Sequence, residues 1–305
     1  MVSSTLSNDI ASAAPSHGTH SGGVSCAACG FSICNKAFAV GGHAIYDCAR
    51  CSHRFSPVSA GAEHVSHVYG DGYFTEGAAG YSDYLGDESL RRASGAWYAR
   101  LLARYTSPGH LLDVGSAAGF ILKGLTDGGW TGMGLEPNAS MAAHARERVG
   151  VDVRVGTLEG CELDRAFDAV TMIQVVGHFY DLRGALAAAA SATKPGGYWL
   201  IESWDRQSLP ARLLGARWHE YSPPSVIQWF TPTSLASLVA EFGFREVARG
   251  RPRKQIRPSH AFDLIRHKLG MRASTRSSGA AGQEWVLPYP PLDLFWGLYR
   301  KRADP

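Results

Sequence analysis

Apolar and polar positions change rhythm several times along this chain, and each rhythm predicts a different kind of structure. Residues 1–24 (MVSSTLSNDIASAAPSHGTHSGGV) hold almost no large apolar side chain and cannot offset the entropy of ordering, so a disordered tail is expected there, its His17 and His20 solvated rather than metal-bound. Further on, a connector with Tyr69, Tyr73, Phe74, Tyr81 and Tyr84 leads into a stretch where Trp97, Leu101, Leu102 and Tyr105 share one helical face beside Arg100 and Arg104. Pro108 and Gly109 end that helix.

Beyond it, strand and helix alternate. Residues 111–114 read as a strand, 115–119 as a glycine loop, 120–127 as a helix, and 133–135 as a second strand ending at Glu136. A helix to residue 148 follows, then strands over 151–155 and 167–173, a helix over 182–193 that runs into Lys-Pro-Gly-Gly, and a fifth strand over 198–201. This order implies right-handed crossovers and a mostly parallel α/β sheet, with ligands expected at the carboxyl ends of the strands.

The chain has 305 residues with 45% hydrophobic and 19% charged positions, enough apolar material for a sizeable core. Neither a signal peptide nor a membrane-spanning run is visible at the sequence level. The net charge of +3 hides an asymmetry: between Arg245 and Arg276 stand ten bases against two acids, so the remainder is net negative. That segment predicts a helix over 262–269 and a Gly/Ser stretch, ASTRSSGAAGQ, able to hinge a lid. It suits an anionic partner, with a merely solvated cationic face as the alternative.

Six cysteines are present, and four form two C-x-x-C pairs, Cys26 with Cys29 and Cys48 with Cys51, separated by eighteen residues. Two such knuckles close a tetrahedral zinc site, and a thirty-residue segment has too little core to fold without one, so structural zinc and a reducing, cytoplasmic compartment are expected. His53 offers a substitute ligand, but four thiolates suffice. The expected organisation is a tail over 1–24, a zinc ribbon over 25–60, and one large domain over 61–305 with a basic, lid-like insertion near 250–284.

The first strand-to-helix turn reads LLDVGSAAGF, and the second strand ends in GMGLEP with Glu136 twenty-one residues beyond Gly115. A loop that admits close backbone approach, followed by an acid able to accept bonds from ribose hydroxyls, marks a nucleoside-bearing cofactor. Asp113 before the loop, GTLEG at 156–160, FDAVTMIQVVGH at 167–178 and KPGGYWLIES at 194–203 complete the pattern. With these blocks the chain resembles the class I S-adenosylmethionine-dependent methyltransferases, and among them the bacterial subgroup with a four-cysteine zinc ribbon ahead of the catalytic domain. The resemblance covers about residues 26–300.

The resemblance implies a seven-stranded sheet, completed by a sixth strand near 244–248 and a reversed last strand near 294–299. It implies S-adenosylmethionine as cofactor, held by Asp113, Gly115, Ser116, Ala117 and Gly119 at the methionine end, Glu136 at the ribose, Pro137, Thr157 and Leu158 around the adenine, and Gln174 beside the methyl group. Ala117 stands where a glycine is common, which requires that position to keep a negative φ. Gly177 replaces a frequent glutamate, and Val226 a frequent histidine. His178, after the fourth strand, is the first candidate for a catalytic base, and His219 in GARWHEYSPP the second, with structural histidines as the alternative for both. The expected activity is methylation of oxygen or carbon in a small or carrier-bound metabolite. An RNA base methyltransferase is the second reading, because the basic segment could track phosphates. An inactive cofactor-binding scaffold is the third.

Overall fold

The computed structural model describes residues 23–58, 61–70, 72–75, 84–163, 166–256, 287–289 and 291–303. The expected tail lies almost wholly outside the described residues, as do Tyr81 and the expected insertion helix and Gly/Ser stretch.

In chain order the elements begin with β1 (Cys34–Val40), β2 (His43–Cys48) and β3 (Arg54–Phe55), then α1 (Ala62–Val68), α2 (Gly72–Thr75) and α3 (Glu88–Leu102). The alternating part runs β4 (His110–Val114), α4 (Phe120–Asp127), β5 (Thr131–Glu136), α5 (Ala139–His144), β6 (Val153–Val155), β7 (Phe167–Ile173), α6 (Leu182–Ala192) and β8 (Thr193–Trp204). It ends with α7 (Leu209–Leu214), β9 (Gln228–Trp229), α8 (Pro232–Ala240), β10 (Phe244–Gly250), β11 (Lys254–Ile256), β12 (Leu287–Tyr289) and β13 (Leu294–Lys301).

Seven strands form one sheet in the order β10-β13-β8-β7-β4-β5-β6, parallel from β8 through β6 and closed by the antiparallel β13. Strand side chains alternate between two buried layers, as parallel strands covered on both faces must. Leu112, Val170 and Ile201 join Leu186 of α6 and Leu238 of α8 on one side. Leu111, Ala169 and Leu200 join Leu102 of α3 and Leu125 of α4 on the other.

Some boundaries differ from the sequence reading, for identifiable reasons. The third strand starts at Val153, because Val151 and Gly150 close a wide turn onto the Ala145 carbonyl. The fifth runs past residue 201 because β13 pairs with it from Tyr198 to Trp204, and it starts earlier because Thr193 pairs with Phe167 of β7. In α3, Tyr98 is buried at 1% exposure beside Leu102, and the face drawn through Trp97 omitted it.

The cysteine-rich segment is continuous with the larger domain. Its strands extend the order β1-β2-β3-β9, so a second sheet joins the ribbon to a two-residue strand placed after β8. Ile45 is buried with Trp218, Tyr221, Val226 and Trp229. Arg54 links the two parts further, pairing with Asp47 and donating to the Tyr221 hydroxyl at 2.6 Å.

Helices α3 and α4 cross with their backbones in contact. A Cβ on Gly95 would overlap the Ile121 carbonyl oxygen, and one on Gly124 the Arg92 carbonyl oxygen. Exchanging glycine for alanine in a free helix gains about 1 kcal/mol. Here Gly124→Ala is expected to lose about 1–3 kcal/mol by overpacking, read as a lower urea midpoint at unchanged m.

Candidate functional site

Two knuckles bring four thiols together. The Sγ atoms of Cys26, Cys29, Cys48 and Cys51 all lie within 4.8 Å of one another, and the Cys26–Cys51 and Cys29–Cys48 separations are 3.6 Å. A tetrahedron with zinc–sulfur bonds of about 2.3 Å has edges of about 3.8 Å, so the quartet has the size zinc requires, while the separations are far beyond a disulfide bond. Burial pushes the Cys51 thiol up to about 11, so metal uptake must displace protons from this cluster. His53 does not join it: its Nε2 bonds Gln228 Oε1 at 2.7 Å, and its ring packs between Phe55 and Phe230.

From the ribbon the contacts run directly to the cleft. The Ser56 amide donates to the Ile227 carbonyl, and the Ile227 amide to the Gly177 carbonyl, both at 2.9 Å. Gln228 reaches the Phe179 carbonyl with its Nε2 at 3.4 Å, and Ser225 offers its carbonyl to His178. Residues 225–228 thus form a strap between the ribbon and the turn that carries His178. A Cβ on Gly177 would sit 3.1 Å from the Gln228 carbonyl and 3.3 Å from Val226, so the absent glutamate and the close strap belong together.

The cleft opens at the carboxyl ends of β4, β5 and β7, where the topology places ligands. Gly115, Ala117, Glu136, Pro137, Thr157, Leu158, Gln174 and His178 all line it. The glycine loop is tied to β5 by the amides of Gly115 and Ser116, both donating to the Leu135 carbonyl. Gly115 and Gly119 take positive φ, as expected of a tight turn. Ala117 is a correction: its φ is +47° rather than negative, because this conformation aims its amide at Glu136 Oε2, 2.8 Å away.

Glu136 is buried and receives a second amide, from Asn138, at Oε1. A carboxylate has about four acceptor positions, so two are left for donors in the cleft. Burial pushes its pKa up to about 7, against the pull of the two amides. Asp113 does not line the cleft. It lies beneath the loop, accepts from Thr171 Oγ1 at 2.6 Å, and is pushed up by burial to about 6, while Ser116 Oγ donates to its carbonyl. Gly119 shapes the start of α4 and is likewise no lining residue.

His178 Nδ1 lies 3.0 Å from the Ser225 carbonyl and 3.0 Å from the Tyr69 hydroxyl. A carbonyl only accepts, so the proton belongs on Nδ1 and Nε2 keeps its lone pair. Burial lowers the ring's pKa below the usual histidine value, which keeps it neutral near pH 7. His219 lies elsewhere: half exposed, it faces Glu220 and the edges of Trp204 and Trp218, and it does not line the cleft.

Sequence reasoning missed a second centre. Glu202, fully buried on β8, accepts from the Tyr98 hydroxyl at 2.5 Å and Gln174 Nε2 at 2.7 Å, and pairs with Lys254 at 2.7 Å. Three elements therefore converge on one carboxylate, which also holds Gln174 in its left-handed conformation. Glu202 belonged to a recognised block without a role, and Lys254 was one base among ten. Arg91, Glu159 and Tyr69 also line the cleft. Arg91 lies 4.0 Å above the Tyr84 ring and pairs with Asp87.

Residues 87–248, more than half of the chain, match the family described as a methyltransferase domain, and the chain belongs to that family. Its fold is that of the class I S-adenosylmethionine-dependent methyltransferases, here with an N-terminal four-cysteine cluster able to bind zinc. Among curated relatives, the ubiquinone biosynthesis O-methyltransferase of Rhodopseudomonas palustris is 29% identical over 136 residues, which are 41% of this chain and 54% of that one. The enzyme of the same description from Methylobacterium nodulans is 32% identical over 145 residues, 44% and 58% of the two chains. The chain thus spans about half the length of the curated relatives it matches. Among solved structures, the YcgJ protein of Bacillus subtilis superposes with a TM-score of 0.50 at 16% identity, covering 70% of this chain and 99% of that one. No helix among the described residues is long and apolar enough to cross a membrane.

Metal analysis of the purified protein is expected to find about one zinc per chain. Stripping it with a strong chelator, or exchanging Cys48 for Ser, should lower the melting temperature on the order of 10 °C, because the ribbon's own core is small.

Proposed function

We propose that this chain transfers the methyl group of S-adenosylmethionine to an oxygen of a small or carrier-bound metabolite. The observation that carries the reading is the neutral, buried His178, its Nε2 unprotonated, in the same cleft as Glu136 and the glycine loop. The relatives' description as O-methyltransferases of a biosynthetic pathway supports it.

The donor set fits the cofactor, since Glu136 keeps two acceptor positions for ribose hydroxyls in a cleft lined by the glycine loop. In this reading Gly115 and Ala117 face the methionine end, Pro137, Thr157 and Leu158 the adenine, and Gln174 the methyl group, while Asp113, Ser116 and Gly119 shape the loop from beneath. The bound cofactor supplies both the electrophilic methyl and its leaving group. The chain's own residues align the acceptor, exclude water, and take up the hydroxyl proton at His178 Nε2. His219, outside the cleft, has no part in this step.

A metabolite acceptor suits the lining better than a polynucleotide. Rings of Tyr69, Tyr73, Phe74 and Phe179 face the cleft, and among the described residues its two cations, Arg91 and Lys254, pair with Asp87 and Glu202. The ribbon over 25–60 and the domain over 61–305 are proposed as the working division, with residues 225–228 as the strap between them. A quartet of cysteines free of disulfides and able to hold zinc suits a cytoplasmic site of action.

Formation of S-adenosylhomocysteine in the presence of a panel of small phenols, with catechol as reference, tests the activity. His178→Gln should lower kcat about 100-fold while cofactor affinity stays within about twofold. Turnover equal to the parent's with the best acceptor removes the base role, and no product with any acceptor removes the reading.

The pH dependence follows from Glu136. Its folded-state pKa of about 7 lies above the ordinary value of 4.5, so its contribution to the free protein's stability is complete below that value and lost as pH rises towards 7. Cofactor hydroxyls favour the ionised form. Calorimetric affinity for S-adenosylmethionine should therefore be on the order of tenfold weaker at pH 6 than at pH 8, and Glu136→Gln should flatten the difference.

A further inference from the structure

Among the described residues, one residue joins the cofactor-side acid to the base, and it comes from neither of the elements that carry them. Tyr69 follows α1, the helix that enters the domain from the ribbon. Its hydroxyl donates to the Ser225 carbonyl at 2.9 Å and stands 3.0 Å from His178 Nδ1, with the two rings edge to face at 5.7 Å. Its backbone carbonyl accepts from Asn138 Nδ2 at 2.9 Å, and the Asn138 amide in turn donates to Glu136 Oε1.

The directions of these bonds form a consistent set. The Tyr69 proton is committed to Ser225, so the hydroxyl oxygen has only acceptor capacity left for Nδ1, as does the Ser225 carbonyl. Two acceptors at 3.0 Å therefore fix the histidine proton on Nδ1 and hold the ring plane. The groups facing His178 are these two oxygens and the Gln174 carbonyl, while the charges acting on Tyr69 are Glu136 and Glu159. Among the described residues no acid therefore stands beside His178 to orient it as in a hydrolytic triad, and Gly177 supplies none. Tyr69 fills that position with a neutral acceptor.

We propose that Tyr69 is the positioning residue of the methyl-transfer site, holding His178 in the Nδ1–H tautomer and linking it through Asn138 to the acid at the ribose end. This rests on His178 being the base. The consequence is that α1, and with it the ribbon attached to α1 and the strap, sets the geometry of the base, while the hydroxyl itself touches no reacting atom.

The test uses Tyr69→Phe, which keeps the ring and removes one oxygen, with ¹⁵N-labelled histidine in the full chain. In the parent protein the His178 nitrogens should show a protonated Nδ1 and an unprotonated Nε2. In Tyr69→Phe the two shifts should move towards a tautomer mixture, with kcat on catechol at least fivefold lower, S-adenosylmethionine affinity within twofold, and melting temperature close to the parent's. Unchanged His178 shifts in Tyr69→Phe overturn the proposal even where His178→Gln abolishes turnover. Full turnover by His178→Gln overturns the base reading instead. A fivefold loss of cofactor affinity with unmoved shifts assigns Tyr69 to cofactor binding and also overturns the proposal.

Discussion

The strap from Ser225 to Gln228 is bonded along both edges, and much of the site depends on that arrangement. One edge accepts from Ser56 and reaches His53 of the ribbon; the other meets Gly177, His178 and Phe179 at the end of β7. Each such bond contributes only about 1 kcal/mol net, yet breaking one inside a packed layer leaves a partner unsatisfied at about 1–3 kcal/mol. The strap and its neighbours therefore move together or not at all. The segment that carries the cysteine quartet, far along the sequence from β7, is thereby joined to the turn that holds His178, and the glycine before His178 is what lets the strap lie so close.

Burial is the second organising factor. Glu136, Glu202 and Asp113 are almost fully removed from solvent, and each is met by donors from separate elements. Lone buried carboxylates are costly, so these donors act as constraints on where α3, β5, β7, β8 and β11 can lie. The same burial gives Glu136 and His178 opposite shifts, the acid upward and the base downward. The acid is thereby brought to about 7, while the imidazole is kept neutral there.

The parts of this molecule legible in its sequence were those with a short-range signal. Paired cysteines, a glycine loop with an acid at the end of the next strand, and alternating apolar runs gave the quartet, the cleft and the sheet. The parts missed rest on contacts between distant residues. Lys254 meets Glu202 across fifty-two positions, and Tyr69 meets His178 across more than a hundred, with no spacing to announce either. Ala117 misled for a related reason: alanine argues locally for negative φ, but its amide is drawn to a carboxylate nineteen residues away. His219 misled because a histidine beside tryptophans reads alike whether it faces a cleft or water.

The antiparallel pair β11–β12 has a consequence for how such chains diversify. Lys254 stands opposite Tyr289 and Ile256 opposite Leu287, so the chain leaves the domain and returns to it through neighbouring, mutually bonded positions. Beyond the pair, β13 takes its place between β10 and β8, in unbroken register with β8 from Leu294 to Arg300. Whatever lies between Ile256 and Leu287 can therefore be lengthened, shortened or exchanged without shifting a strand. Lys254, at the base of this doorway, lines the cleft and pairs with Glu202, so the point of exit and return is anchored to β8 at the cleft itself.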